Sequence, residues 1–225
     1  MTARRPSIAV VDYGMGNRRS VLKALERAGA RPVLTRDQKE LHAARGLVVP
    51  GVGAFPEAMK RLGELELSEP IRERARDGVP VLGICLGMQL LFERSQELGD
   101  TAGLGLIEGE VTWLKPGGLP VPHIGWNDVE LVTRSTLTEG LPANELVFYH
   151  VHSLAARPES AEDVIGISEY GERFATIVGR GMVFGVQFHP EKSSASGLAL
   201  LERFVGLCGT STTQRPAPLA TPARP

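Results

Sequence analysis

Three short, uninterrupted apolar runs constrain the fold of this chain more than any other feature. They are Ser7 to Val11 (SIAVV), Gly46 to Val49 (GLVV) and Val79 to Ile84 (VPVLGI). A short apolar run without polar alternation is the pattern of a strand buried on both faces. The segments between them read as helices. A turn over Gly14 to Asn17 leads into a helix over Arg18 to Ala28, with Asn17 placed to cap it and Gly29 to close it. Val21, Leu22, Leu25 and Ala28 recur along it at helical spacing. Pro32 to Leu34 adds a strand and Asp37 to Ala44 a short helix. Phe55 to Leu62, Ser68 to Asp77 (Pro70 in its first turn) and Leu86 to Arg94 read as further helices. Strands buried on both sides need helices on both sides. The alternation therefore predicts an α/β fold with an open, mostly parallel central sheet flanked by helices.

Beyond about residue 104 strand-like segments follow one another: Ile107 to Leu114, Asp128 to Val132, Leu146 to Val151, Val164 to Glu169, Arg173 to Val178 and Met182 to Phe188. They predict a mixed or antiparallel extension of the same sheet in the C-terminal half. Ser194 to Leu207 reads as a last helix. Residues 209–225 carry Pro216, Pro218, Pro222 and Pro225 and little to bury, so one domain over 1–208 with a disordered proline-rich tail is expected.

Composition excludes several partner classes. Lys and Arg number 25 against 26 Asp and Glu, which leaves no basic surplus for nucleic acid. Two cysteines in 225 residues argue against a disulfide-stapled secreted scaffold. The first apolar run is cut at Asp12, too short for a signal-peptide core. Val79 to Phe92 holds Pro80, Gly83, Gly87 and Gln89 and is no membrane span. A cytoplasmic protein is expected.

Gly83-Ile84-Cys85-Leu86-Gly87 falls where a buried strand meets a helix, the spacing of a nucleophile elbow with cysteine in place of serine. A strand turning at once into a helix strains the middle residue, and its neighbours two positions away must be small. The side chain then projects from the sheet's carboxyl edge, where the helix N-terminus favours thiolate and the Leu86 N–H can receive negative charge. The plainer alternative for Cys85 is a buried core cysteine, the reading given to Cys208.

Gln187-Phe188-His189-Pro190-Glu191 supplies a base. Pro190 biases His189 toward extended backbone, so His189 and Glu191, two apart, share a face. Glu191 can then hold one ring nitrogen while the other faces a thiol, the logic of a triad. Pro50-Gly51-Val52-Gly53 leaves the sheet at its carboxyl edge, where the Val52 N–H or a glycine N–H could join Leu86 in an oxyanion hole. A plain strand-to-helix loop is the alternative there. His150 and His152 are spaced as a metal pair, but no third or fourth ligand is spaced to join them, so no metal is expected. His42 and His123 are assigned to surface or loop.

GICLGMQ (Gly83 to Gln89) and FHPEKS (Phe188 to Ser193) resemble the signatures of class I, triad-type glutamine amidotransferases. DYGMGN (Asp12 to Asn17), PGVGAF (Pro50 to Phe55) and PHIGWN (Pro122 to Asn127) are similar to the glutaminase subunits of imidazole glycerol phosphate synthase. Other branches favour His where Met88 stands, or Asn where Leu86 stands. The resemblance covers residues 7 to 207 and implies Cys85 as nucleophile, His189 as base and then acid, and Glu191 as its orienter. It implies Gly51 and Val52 as an oxyanion strand that flips when the partner binds its own substrate. Gln89 and Glu97 would contact the amino-acid end of glutamine by side chain, and His152-Ser153 by backbone. Trp126 and Lys192 would lie at the partner interface. Leu154 and His150 depart from the family, which has aromatic or apolar residues there.

The reaction so implied is hydrolysis of glutamine to glutamate and ammonia through a thioester, with no cofactor. Because the triad domain uses all the chain expected to be ordered, the ammonia acceptor is expected on another polypeptide. The resemblance makes that partner a (β/α)8-barrel cyclase of histidine biosynthesis in a heterodimer. Two rivals stay open: a stand-alone cysteine hydrolase such as a γ-glutamyl hydrolase, and a binding module that has lost the chemistry.

Overall fold

The computed structural model describes residues 5–142 and 146–210. The first half runs β1 (Ser7–Val11), α1 (Arg18–Arg27), β2 (Arg31–Thr35), α2 (Gln38–Ala43), β3 (Gly46–Gly51), α3 (Phe55–Glu64), α4 (Ser68–Arg76), β4 (Val81–Cys85) and α5 (Leu86–Leu90). The second runs β5 (Phe92–Ser95), β6 (Thr101–Ala102), β7 (Ile107–Trp113), β8 (His123–Asp128), β9 (Glu130–Leu131), β10 (Val147–His152), β11 (Leu154–Pro158), β12 (Val164–Glu169), β13 (Arg173–Arg180), β14 (Val183–Val186) and α6 (Ser194–Gly209).

The main sheet has the order β2-β1-β3-β4-β14-β13-β11-β7-β5-β6, with β12 pairing β13 and β9. The first five strands are parallel; beyond β14 the pairing is antiparallel except for β5 with β7. Alternate residues of β1, β3 and β4 go to opposite faces. Ala9, Val11, Leu47, Val49 and Val81 share a core with Phe55, Leu62 and Ile71 of α3 and α4. Ile8, Val10, Val48, Leu82 and Ile84 share the other with Val21 and Leu25 of α1 and with Leu200 and Phe204 of α6. At about 1.5–3 kcal/mol for each large apolar side chain buried, these two cores explain why the strands carry no polar alternation. Cys208 belongs to the second core, against Gly46, where a side chain would collide with its sulfur.

Several expectations are corrected. The helix after Cys85 ends at Leu90 instead of Arg94, and Phe92–Ser95 is a strand parallel to β7. The run Leu90-Leu91-Phe92 is wholly buried, so no polar face separates helix from strand. The strand read as Leu146 to Val151 is β10, which leaves the main sheet and pairs antiparallel with β8 as a separate two-stranded sheet. The strand read as Asp128 to Val132 divides into the end of β8 and the two-residue β9. Asn17 sits at the N-cap of α1 but makes no side-chain capping bond, whereas Asp37 accepts the Lys39 N–H at 2.8 Å and caps α2. Helix α6 runs through Gly209, and the rest of the proline-rich segment beyond Thr210 lies outside the described residues. Among the described residues no helix is long and apolar enough to cross a membrane.

Candidate active site

Cys85 ends β4 at φ +55°, ψ −111°, a left-handed conformation that costs a non-glycine residue about 1–3 kcal/mol. Its two glycine neighbours make room for it. A Cβ on Gly83 would stand 2.5 Å from the Gly87 carbonyl oxygen, and one on Gly87 would collide with the Val49 carbonyl of the adjacent strand. The elbow is thus wedged between β4 and β3, whose ladder ends with Gly51 opposite Cys85.

β14 lies on the other side of β4, with Val186 opposite Ile84. That register brings the chain after Val186 past Cys85 and delivers His189 to it. The His189 N–H donates to Tyr149 O at 2.9 Å, and its carbonyl accepts the Ser193 hydroxyl at 2.6 Å, so the backbone is held on both sides. His189 itself is extended as expected (φ −102°, ψ 94°), but Pro190 then opens a 3-10 turn over Pro190–Lys192, so the extended course stops there. The turn still carries Glu191 back to His189, with Oε1 at 2.9 Å from Nδ1 and the Glu191 side chain 1% exposed. A carboxylate only accepts, so Nδ1 carries the proton. His189 and Cys85 line the same pocket. Burial pulls the imidazole toward its neutral form, but its interactions with Cys85 and Glu191 outweigh burial and raise it to about 9. His189 is therefore held as an imidazolium beside the sulfur, able to give its proton to a leaving group.

An open pocket of about 290 Å³ lies over these groups. Val52, Cys85, Leu86, Gln89, Glu97, His152, Ser153, His189 and Lys192 all line it. Gly51 does not; Gly53 lines it beside Val52, while Gly51 lies under the Tyr13 hydroxyl, which donates to Pro50 O at 2.5 Å. Leu86 opens α5, and the first N–H groups of a helix have no partner within it. Glu97 accepts the Phe55 N–H at 2.6 Å, so one oxygen anchors the start of α3. Gln89 donates from Nε2 to Gln187 Oε1 (3.0 Å) and Leu154 O (3.4 Å). Both bonds of its amide nitrogen are made inside the protein. Its carbonyl oxygen is left as an acceptor.

The wall formed by β8 and β10 departs from expectation. His123, assigned to surface or loop, is buried at 3% exposure, stacked on Tyr170 and paired opposite His152; His42 is exposed as expected. His123 thus joins His150 and His152 as a third imidazole, which sequence spacing did not predict. All six ring nitrogens are engaged: His150 with Phe148 O and Thr176, His152 with Leu154 O and His123 Nδ1, and His123 Nε2 with Asn127. Bonded in this way, the three rings do not converge on a shared point as metal ligands do, and among the described residues no cluster has metal-holding geometry.

Trp126 of β8, 55% exposed, and Lys192 are joined through Tyr149 of β10. Trp126 meets the Tyr149 ring edge-on at 6.0 Å, and the Lys192 ammonium stands 5.8 Å above the same ring. Sequence reasoning missed Tyr149, Tyr13 and Gln187. For Gln187 the signal was present, since it precedes His189 by two on a strand-like run.

A parallel sheet carrying a cysteine elbow, with a histidine–glutamate couple brought to it from the neighbouring strand, defines a thiol-dependent acyl-transfer scaffold. The sequence matches the class-I glutamine amidotransferase family over residues 9–206, and the chain belongs to that family. Within it the chain is 52% identical over 197 residues to the imidazole glycerol phosphate synthase subunit HisH of Moorella thermoacetica, covering 88% of this chain and 93% of that protein. It is 48% identical over 206 residues to the same-named subunit of Geobacillus thermodenitrificans, covering 89% and 95%. Among solved structures, PurLQS from Thermotoga maritima has a TM-score of 0.71 at 19% identity, covering 90% of this chain and 98% of that one. A glutamine amidotransferase from Thermotoga maritima has a TM-score of 0.60 at 21% identity, covering 84% and 77%. These two likenesses concern the fold alone.

Proposed function

We propose that the chain is the glutaminase subunit of an imidazole glycerol phosphate synthase, which hydrolyses glutamine and passes ammonia to a separate cyclase subunit. The observation that carries the chemistry is that Cys85 and His189 line one pocket, with the His189 ring held from behind by Glu191. The identity to the HisH subunits over nearly their whole length supports the pathway.

The Cys85 thiolate attacks the carboxamide carbon of glutamine, and the carbonyl oxygen becomes an oxyanion. The Leu86 N–H and an N–H of the Gly51-Val52-Gly53 segment receive that charge. The His189 imidazolium gives its proton to the amide nitrogen, the C–N bond breaks and ammonia leaves, with a glutamyl thioester on Cys85. Neutral His189 then takes a proton from water, hydroxide attacks the thioester carbon, and glutamate departs as the thiolate and imidazolium are restored. Glu191 keeps the ring oriented throughout. The free Glu97 oxygen suits the substrate ammonium, the Gln89 carbonyl accepts a substrate N–H, and His152-Ser153 lines the same wall.

Ammonia released into water at neutral pH becomes ammonium and loses its nucleophilicity. Transfer must therefore cross a surface closed by a partner, for which exposed Trp126 and Lys192, joined through half-buried Tyr149, are suited. A (β/α)8-barrel cyclase is the proposed partner. The test is Cys85→Ala in the reconstituted complex. Glutamine-dependent synthesis of imidazole glycerol phosphate is expected to vanish, and synthesis from added ammonium salt to persist. Equal loss of both would contradict the assignment.

A further inference from the structure

The side chain of Gln187 is a buried polar group that the reaction above does not use. It is wholly buried, one residue past the end of β14, beside the elbow. Its orientation follows from its neighbours. The Leu154 carbonyl can only accept, and it takes the His152 Nδ1–H at 2.7 Å and a Gln89 Nε2–H at 3.4 Å. The nitrogen end of Gln89 is thereby fixed. The same nitrogen reaches Gln187 at 3.0 Å, so Gln187 must present its oxygen there. Its own Nε2 is left facing the Cys85 sulfur, 3.8 Å away. The Val151 carbonyl oxygen also stands 3.8 Å from that sulfur. That oxygen accepts a thiol S–H and repels a thiolate. Among the described residues, the side-chain hydrogen bond that reaches the sulfur comes from Gln187.

We propose that Gln187 is a further catalytic residue, donating a hydrogen bond from Nε2 to the Cys85 sulfur and favouring its charged, attacking form. The inference rests on the glutaminase reading and adds one residue to its machinery. Hydrogen bonds to a charged acceptor are the stronger ones, so the contact gains strength when the proton leaves Cys85. It returns that strength when the thioester forms. It also ties the nucleophile to Gln89, one turn along α5.

The test is the rate of Cys85 alkylation by iodoacetamide across pH on the full chain, with the modified residue located by mass spectrometry. Gln187→Met fills the same space without a donor. Its alkylation at neutral pH is expected to slow about tenfold and to meet the wild-type rate at alkaline pH, where both thiols are ionised. Gln187→Glu keeps the bond to Gln89 through one oxygen and sets the other against the sulfur, so it should react more slowly still. Circular dichroism verifies the fold of each variant, and should Gln187→Met not fold, Gln187→Glu decides alone. A variant as reactive as wild type at neutral pH overturns the proposal, even if its KM for glutamine rises, because the residue would then act only through Gln89. A wild type whose Cys85 is no more reactive at neutral pH than an ordinary peptide thiol overturns the glutaminase reading itself, and the role of Gln187 with it.

Discussion

At the scale of single residues the site is a balance of opposed effects around one sulfur. Cys85 is held in a strained backbone conformation by glycines that nothing larger could replace. Burial works against a charged His189, and its interactions with Cys85 and Glu191 overcome burial. Being raised from 6.5 to about 9, His189 adds stability that is fully present below about pH 6.5 and is lost as pH rises through about 9. That contribution is on the order of 3 kcal/mol, since a tenfold change in proton affinity corresponds to about 1.4 kcal/mol. The stability gap between wild type and His189→Gln, measured by urea unfolding, should therefore narrow as pH climbs through that window; a constant gap would mean that the imidazole is neutral in the folded chain. Cys85, His189 and Glu191 were legible because motif spacing alone marks them. Glu191 reaches His189 through a 3-10 turn in place of a strand, so the juxtaposition was legible and its backbone was not.

At the scale of elements, the β8–β10 pair is the part that the sequence hid. A strand over Leu146 to Val151 was legible, but which sheet it joined was not, because pairing partners far apart leave no local signal. β11 was missed for a related reason: Leu154-Ala155-Ala156-Arg157-Pro158 holds poor strand formers and owes its form to pairing with β7. The buried imidazoles make this element sensitive to acid. Burial first, then the neighbouring His152 and His123, bring His150 down to about 2 against the Phe148 carbonyl bond. Burial likewise brings His152 to about 4. Both stay neutral when folded and take protons once unfolded. Their contribution is therefore intact above pH 6.5 and falls as the pH drops toward 4 and then 2. His150→Phe alone strips the buried Thr176 hydroxyl of its imidazole partner at a cost of about 1–3 kcal/mol near neutral pH. Combined with Thr176→Val it should recover most of that cost and flatten the loss of stability in acid. An unchanged acid slope would place the titration elsewhere.

At the scale of the whole molecule, the parallel half was readable because its strands are buried on both faces and its helices on one, so that both periodicities show in the sequence. The mixed half was readable only as a succession of strands. The site joins the two halves: the elbow and the loop after β3 come from the first, the base and the imidazole wall from the second. Val52 lines the pocket and is exposed, and Leu119, Val121, Ile124 and Trp126, on either side of the lining residue Pro122 in the chain, are exposed as well. At this junction Cys85 is expected to act as a nucleophile specific for glutamine. The most direct measurement is the mass of the intact chain, and of its peptides, after exposure to an electrophilic glutamine analogue. A single adduct on Cys85, slowed by added glutamine and absent from Cys208, is predicted. Adducts divided between the two cysteines, or labelling that glutamine leaves unchanged, would contradict the account.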